Sequence, residues 1–401
     1  MQRGKGLRIG SLFGIDVRID WTWLIIFALV TYSLGFMLGE FQVDWGPELR
    51  WGIAAASALL FFGSVLAHEL AHSLVSQAHG NPVDSITLFL FGGVAEIRDE
   101  PDTPVGEFLM AIVGPVTSFV IGGVLLFLVG ALGRPVSAVG DPAEVIPQLG
   151  PVQLMALWVG SVNIVLGAFN MIPGFPLDGG RVLRSILWKI TGDLRGATRW
   201  ATSVGQGFGW LMIVSGISMV FGVSIPFFGS GLVNGLWLAF IGWYLNNAAE
   251  QSYQRVIVQD ILEGVPVTRM MRHDPPTVSP AEHIEDLVYE RIMGTDAHAF
   301  PVLDDGKLVG IVTLEDVRSV PRERWPSTRV EEIMTPHEQC AVLSSDGDAA
   351  EAMNKLATCD VHELPIIDDG QLSGVLRRQD LIQWLRLHAE TGGWGSASGL
   401  G

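Results

Sequence analysis

His68, Glu69 and His72 stand in the order H-E-x-x-H inside a long apolar run, Leu66-Ala67-His68-Glu69-Leu70-Ala71-His72. Residues four apart share a helix face, so both imidazoles can point at one metal ion. Two imidazoles and one further ligand suit Zn²⁺, with the fourth position left for water. Glu69 stands beside the first ligand, where a carboxylate can take a proton from that water. The alternative is a pair of core histidines with an incidental Glu between them. A helix in lipid rarely holds three ionisable groups so close together unless they act, which favours chemistry.

A third ligand is then needed. His79 lies seven residues beyond His72, two turns further along the same helix, and is expected at the membrane interface. A carboxylate is expected instead. The candidate is Asp178, in Phe169-Asn170-Met171-Ile172-Pro173-Gly174-Phe175-Pro176-Leu177-Asp178-Gly179-Gly180. Pro173 and Pro176 break the helix, and Gly179-Gly180 lets the backbone turn tightly. A carboxylate presented from a broken helix at membrane depth is a site feature by default. Asp178 can also cap the helix that holds Arg181 to Lys189, and the two roles are compatible.

The elements that carry these residues read as membrane spans. Six apolar runs, 21–39, 51–78, 108–132, 152–171, 202–221 and 232–248, come near the ~20 residues a bilayer needs. Arg3, Lys5, Arg8 and Arg18 precede the first span, and Arg181, Arg184, Lys189, Arg195 and Arg199 fall between the fourth and fifth. The positive-inside rule places both groups, and with them the C-terminus, in the cytosol. The acidic connections 40–50 and 133–150 then lie outside. His68 falls 17 residues into the second span, roughly 25 Å along it and in the cytosolic part of the hydrocarbon layer. Residues 86–97, apolar and partly β-branched with Gly92-Gly93 inside, read as strand. A re-entrant strand or hairpin beside the metal, with an edge that could pair with an extended substrate, and an ordinary cytosolic hairpin both remain open.

Composition agrees with a membrane part and a soluble part. Apolar residues make up 49% and charged residues 17%, with mean hydropathy +0.38. Residues 1–250 hold 12 Lys/Arg and 17 Asp/Glu, whereas residues 251–401 hold 13 and 25. The acidic balance argues against nucleic acid as a partner. Cys340 and Cys359 make no disulfide framework and are expected to be free thiols in the cytosol. The first apolar run is long enough to span and lacks a small-residue cleavage site, so no cleavable signal peptide is expected.

H-E-L-A-H in the second span, with F-N-M-I-P-G-F-P-L-D-G-G after the fourth, resembles the site-2 protease family (peptidase family M50), the intramembrane zinc metalloproteases. Ala111-Ile112-Val113-Gly114-Pro115-Val116-Thr117-Ser118 is similar to that family's A-G-P-type packing motif, with Val113 in place of the small residue. The resemblance implies His68, His72 and Asp178 as ligands of one Zn²⁺ and Glu69 as catalytic base. It implies that Gly92-Gly93 belongs to a membrane-embedded strand near the substrate. Asn170 and Asn163 would position substrate or stabilise the oxyanion. These motifs cover residues 66–184.

The soluble part contains an internal repeat. Phe300-Pro301-Val302-Leu303-Asp304-Asp305-Gly306 recurs 64 residues later as Leu364-Pro365-Ile366-Ile367-Asp368-Asp369-Gly370. Each copy reads strand, D-D-G turn, strand, helix, with helical stretches at 280–293 and 347–358 before them. This resembles a tandem cystathionine-β-synthase (CBS) domain pair, a regulatory module that often binds adenine nucleotides. Gly310-Ile311-Val312-Thr313-Leu314-Glu315-Asp316 fits that family's phosphate and ribose run; the second copy keeps Asp380 but has Arg377 where the hydroxyl belongs. The resemblance therefore implies at most one ordinary site for ATP or AMP, through Thr313, Asp316 and Asp380, with Arg377 or Arg378 near phosphate. A pair that serves only dimerisation or docking is the alternative.

The expected fold is a polytopic α-helical membrane domain, about six transmembrane helices with a short membrane-embedded β segment, plus a soluble α/β tandem CBS pair. The expected domains are 1–250 (membrane), 251–262 (linker), 263–325 and 326–390 (the two repeats) and 391–401 (disordered tail). The expected activity is cleavage of peptide bonds in or near the transmembrane helices of protein substrates, gated by the CBS pair in response to a ligand. The competing expectation is a CBS-regulated transporter or zinc-binding scaffold. Location in the plasma membrane of a bacterial or archaeal cell, with homodimer contacts through the CBS domains, rests on the family resemblance.

Overall fold

The computed structural model describes residues 6–41, 45–90, 92–97, 101, 103–132, 146–226, 228–359 and 361–391. Most of the expected disordered tail, residues 392–401, lies outside the described residues. The chain divides into two compact units, Gly4–Gln254 and Arg255–Gly401.

The first unit is built on α1 (Trp21–Phe41), α2 (Pro47–Ala78), α3 (Pro104–Leu132), α4 (Pro151–Asn170), α5 (Asp178–Thr191), α6 (Leu194–Val220) and the part of α7 (Leu232–Leu262) before Arg255. Among the described residues five helices are long and apolar enough to cross a membrane: α1, α2, α3, α4 and α6. The amphipathic α5 is too short to do so. The sixth expected span, the first part of α7, is not among the five; Asn234, Asn246 and Asn247 dilute its apolar run. Large apolar side chains such as Leu24, Leu29 and Phe36 on α1 and Trp210, Val214 and Ile217 on α6 are exposed. Exposed apolar surface of this kind marks a membrane contact. Inside, Trp23 and Phe27 of α1 pack against Phe62 of α2 with ring centroids 5.2 and 6.5 Å from it.

Several boundaries differ from expectation. α2 starts at Pro47 rather than 51, because Pro is well tolerated in the first turn. α6 starts at Leu194, where Asp193 accepts a hydrogen bond from the Gly196 amide and caps the helix. Residues 251–262, expected as a linker, continue α7 without a break; nothing before Gly264 stops a helix there.

The β segment is larger than expected. Leu7–Leu12 (β1) and Ile15–Ile19 (β2) join Val83–Phe89 (β3) and Gly92–Ile97 (β4) in one sheet, in the order β1-β2-β3-β4. The β1–β2 turn is Phe13-Gly14, both with positive φ, as a two-residue hairpin turn of the right twist requires. β2 pairs parallel with β3, matching Val17 with Ile86 and Ile19 with Leu88. Ile15 and Ile86 are buried under Leu66 and Leu70 of α2, so the sheet packs on the helix that carries H-E-x-x-H.

In the second unit the two repeats each form a hairpin: β5 (Ala299–Asp304) with β6 (Lys307–Thr313), and β7 (Glu363–Asp368) with β8 (Gln371–Arg377). The D-D-G turns place Asp305 and Asp369 at φ 47° and 50°. The hairpins meet at equivalent positions, Lys307 against Gln371. Each has its own core, Phe300, Val302, Val312 and Val317 in one and Leu364, Ile366, Leu376 and Leu381 in the other, again 64 residues apart.

Candidate metal centre

α2 brings His68 and His72 one turn apart with both Nε2 atoms on the same side, 3.2 Å from each other. The chain reaches them a third time at the start of α5. Asp178 Oδ2 lies 3.1 Å from His68 Nε2 and 3.3 Å from His72 Nε2. Four ligands at about 2.0–2.1 Å from a tetrahedral zinc would sit roughly 3.3–3.4 Å apart. The three observed edges are close to that value. Among the described residues these three are the one set of His, Cys, Asp or Glu close enough together to share an ion.

Asp178 is not spent as a cap. Leu177 is the capping residue of α5 and makes no side-chain cap, and Asp178 is the first helical residue with its carboxylate turned to the imidazoles. The loop before it is fastened by Phe175 N–H to Ala201 C=O of α6 and by Leu177 N–H to Gly174 C=O. The Phe175–Pro176 peptide is cis.

α3 supplies what the imidazoles lean on. His68 Nδ1 is 2.9 Å from Ser118 Oγ, and His72 Nδ1 is 2.6 Å from the Met110 carbonyl oxygen. A carbonyl can only accept, so His72 carries its proton on Nδ1 and leaves Nε2 free for a metal. Ser118 Oγ allows the same tautomer at His68. Partners of this kind orient metal-binding histidines and raise their basicity. Sequence reasoning missed Ser118 as a partner because it is 50 residues from His68. Ser118→Ala is expected to weaken zinc binding about tenfold, read by chelator competition. Unchanged affinity would show the hydroxyl to be idle.

Gly114 leaves the space an ion needs. A Cβ there would collide with His72 Nε2 and stand 2.7 Å from His68 Nε2. The donor set and this cradle therefore fit one Zn²⁺. Glu69 is half-buried and outside the ligand set; its Cγ packs on Gly93 of β4, where a Cβ would have no room. So Gly93 and Glu69 are brought together, and Gly92 opens the same strand. Asn163 is wholly buried in α4 and donates to Val159 C=O, and half-buried Asn170 donates to Leu166 C=O. Among the described residues neither is hydrogen-bonded to the histidines or Asp178. His79 ends α2 with Nδ1 2.8 Å from Val75 C=O.

In the second unit Thr313 and Asp316 form a capping box: Asp316 Oδ2 accepts from Thr313 N and Oγ1 at 2.8 and 2.7 Å, and Thr313 Oγ1 accepts from Asp316 N at 3.2 Å. Arg377 is forked onto Asp380 at 3.0 and 2.8 Å and donates to Asp296 at 2.6 Å. That hydrogen bond holds the Asp296 carboxyl below the usual carboxylate range. Arg378 donates to the carbonyls of Leu356 and Val361. Both arginines are thus committed to the protein itself. A cleft of about 660 Å³ lies nearby, lined by Arg272, Asp274, Thr277, Arg291 and Asp296 among others. Cys340 and Cys359 are free, and burial pushes the Cys340 thiol up to about 11.

Comparison with known proteins points the same way. The peptidase family M50 model matches residues 56–214, and the CBS domain model matches residues 267–323 and 330–387. The chain is 35% identical over 389 residues to sll0528 of Synechocystis sp., covering 96% of this chain and 97% of that one. It is 32% identical over 382 residues to Rip3 of Mycobacterium tuberculosis, covering 95% and 93%. It is 28% identical over 377 residues to MJ0392 of Methanocaldococcus jannaschii, covering 94% and 95%. All three carry the name zinc metalloprotease.

Proposed function

Because the chain belongs to peptidase family M50, the site-2 proteases, and carries a CBS pair, we propose that it hydrolyses peptide bonds in or near the transmembrane helices of other proteins. The observation that carries this reading is the convergence of His68 Nε2, His72 Nε2 and Asp178 Oδ2 at 3.1–3.3 Å with Glu69 beside them. A transporter or scaffold has no use for Glu69, and the zinc metalloprotease family leaves that alternative behind.

His68, His72 and Asp178 would hold the zinc, which supplies the Lewis acidity that activates water near neutral pH and polarises the scissile carbonyl. Glu69 takes the proton of the attacking water and hands it to the leaving amine. Ser118 and the Met110 carbonyl keep both imidazoles in the required tautomer. Asn170 and Asn163 are proposed to position the substrate or steady the oxyanion. A helical substrate shields its own peptide bonds, so it must be drawn out as a strand. β4, with Gly92 and Gly93, is an end strand of the sheet and lies against Glu69. Pairing along that edge would offset part of the cost of unwinding. Gly93→Ala is expected to displace Glu69 and lower turnover about a hundredfold with zinc content unchanged. Full activity in that variant would contradict the close packing of strand on base.

The proposed topology has six spans, the first part of α7 being the sixth, with the N-terminus and CBS pair in the cytosol of a cell bounded by this plasma membrane. ATP or AMP at Thr313, Asp316 and Asp380 would regulate cleavage, and the CBS pair would also serve a homodimer. The test is cleavage of a single-span model substrate by purified protein, with and without ATP. Cleavage that stops with a chelator, returns with zinc and maps to the apolar span is expected. Cleavage that survives chelation would overturn the reading.

A further inference from the structure

We propose that Glu107 is a positioning residue of the metal centre: through Arg184, with Arg181 beside it, it fixes the register of α5 against α3 and so the place of the Asp178 carboxylate. The inference rests on the zinc protease reading above.

Glu107 and Arg184 are 1% and 3% exposed. Arg184 Nε donates to Glu107 Oε1 at 2.6 Å, and a terminal nitrogen of the same guanidinium also reaches that oxygen. Arg181 Nε stands 3.8 Å from it. The Arg184 guanidinium also lies 5.1 Å over the ring of Phe175, in the loop that leads to Asp178. A terminal nitrogen of Arg181 is 3.5 Å from Met110 Sδ, and the Met110 carbonyl is the acceptor for His72.

These contacts lie on one face of α3. Glu107, Met110, Gly114 and Ser118 follow at spacings of three, four and four residues. From Glu107 to Gly114, at the ion's place, is seven residues; from Arg184 back to Asp178 is six. At 1.5 Å per residue these legs are roughly 10.5 and 9 Å, so α3 and α5 run antiparallel with the ion pair at one end and the metal centre at the other. A slip of one residue between them would carry Asp178 about 1.5 Å away, far beyond the roughly 0.2 Å that metal–ligand bonds tolerate.

Apolar packing alone would not select one register so sharply. A buried ion pair adds little net stability, but breaking it strands a charge, and setting register is its best-attested use. Glu107 takes no part in the proton transfers and lies outside the ligand set. Its proposed effect is on geometry alone.

The test measures zinc affinity by chelator competition on the full chain in detergent, for Glu107→Gln and Arg184→Lys, each alone and combined with Asp178→Asn. Arg184→Lys keeps the charge but loses the planar fork, so it serves even where Glu107→Gln fails to fold. Each single substitution is expected to weaken zinc about tenfold or more. In the Asp178→Asn background neither should cause a further loss, since no carboxylate remains to misplace. Affinity within about twofold of the unsubstituted chain, or a loss that adds in full to that of Asp178→Asn, would overturn the positioning role alone. An unsubstituted, folded chain that binds no zinc would overturn the protease reading and this inference together.

Discussion

Glu69→Gln should cut proteolysis by about 10³-fold or more while the protein keeps one zinc per chain. The two parts of this outcome have separate causes. Glu69 follows His68 by one residue, so its side chain leaves the helix about 100° around from the ligand face. It packs on Gly93 and contributes no atom to the ligand set. Removing its charge therefore removes the proton acceptor without removing a ligand. Gln keeps the shape, so β4 stays in place. Metal analysis and a cleavage assay on the same sample check both halves. Zinc lost along with activity would make Glu69 a ligand or a structural prop rather than the base.

Gly114→Ala should empty the centre. The added methyl would collide with the His72 imidazole and sit 2.7 Å from His68 Nε2. An ion about 2.0 Å from both nitrogens cannot share that space. Affinity for zinc is expected to fall at least about a hundredfold, and cleavage with it. Gly123→Ala on the same helix is the control, since a Cβ there meets nothing within 4 Å. It should bind zinc and cleave as the unsubstituted chain does. Zinc bound normally by Gly114→Ala would mean that the ion lies elsewhere.

The clustering of His68, His72 and Asp178 could be anticipated from the sequence because its signals are local: His68 and His72 share a helix turn, and Asp178 sits in a run whose prolines and glycines announce a broken helix. The D-D-G turns marked the repeat for a similar reason, since Asp305-Gly306 and Asp369-Gly370 need positive φ. What escaped was non-local. β2 pairs with β3 across the whole of α1 and α2, and a parallel pairing at that distance leaves no turn signal. A local hint existed in Phe13-Gly14 between the alternating Ile15, Val17 and Ile19 and the run before it. The part played by α3 was equally silent. Ser118, Met110 and Glu107 become supports only once residues 38 to 77 positions away pack on them. Gly114 looked like helix packing and proves to be the space beside the imidazoles. α7 ran past its expected end because a polar sequence with good helix formers continues a helix as readily as it makes a linker.

Zinc K-edge absorption on the purified full-length chain is the measurement to make. Two imidazole nitrogens and oxygen at about 2.0–2.1 Å, with one zinc per chain, is the outcome expected of His68, His72 and Asp178. A sulfur shell near 2.3 Å would implicate Cys340 or Cys359 and contradict the account, as would a folded chain that takes up no zinc.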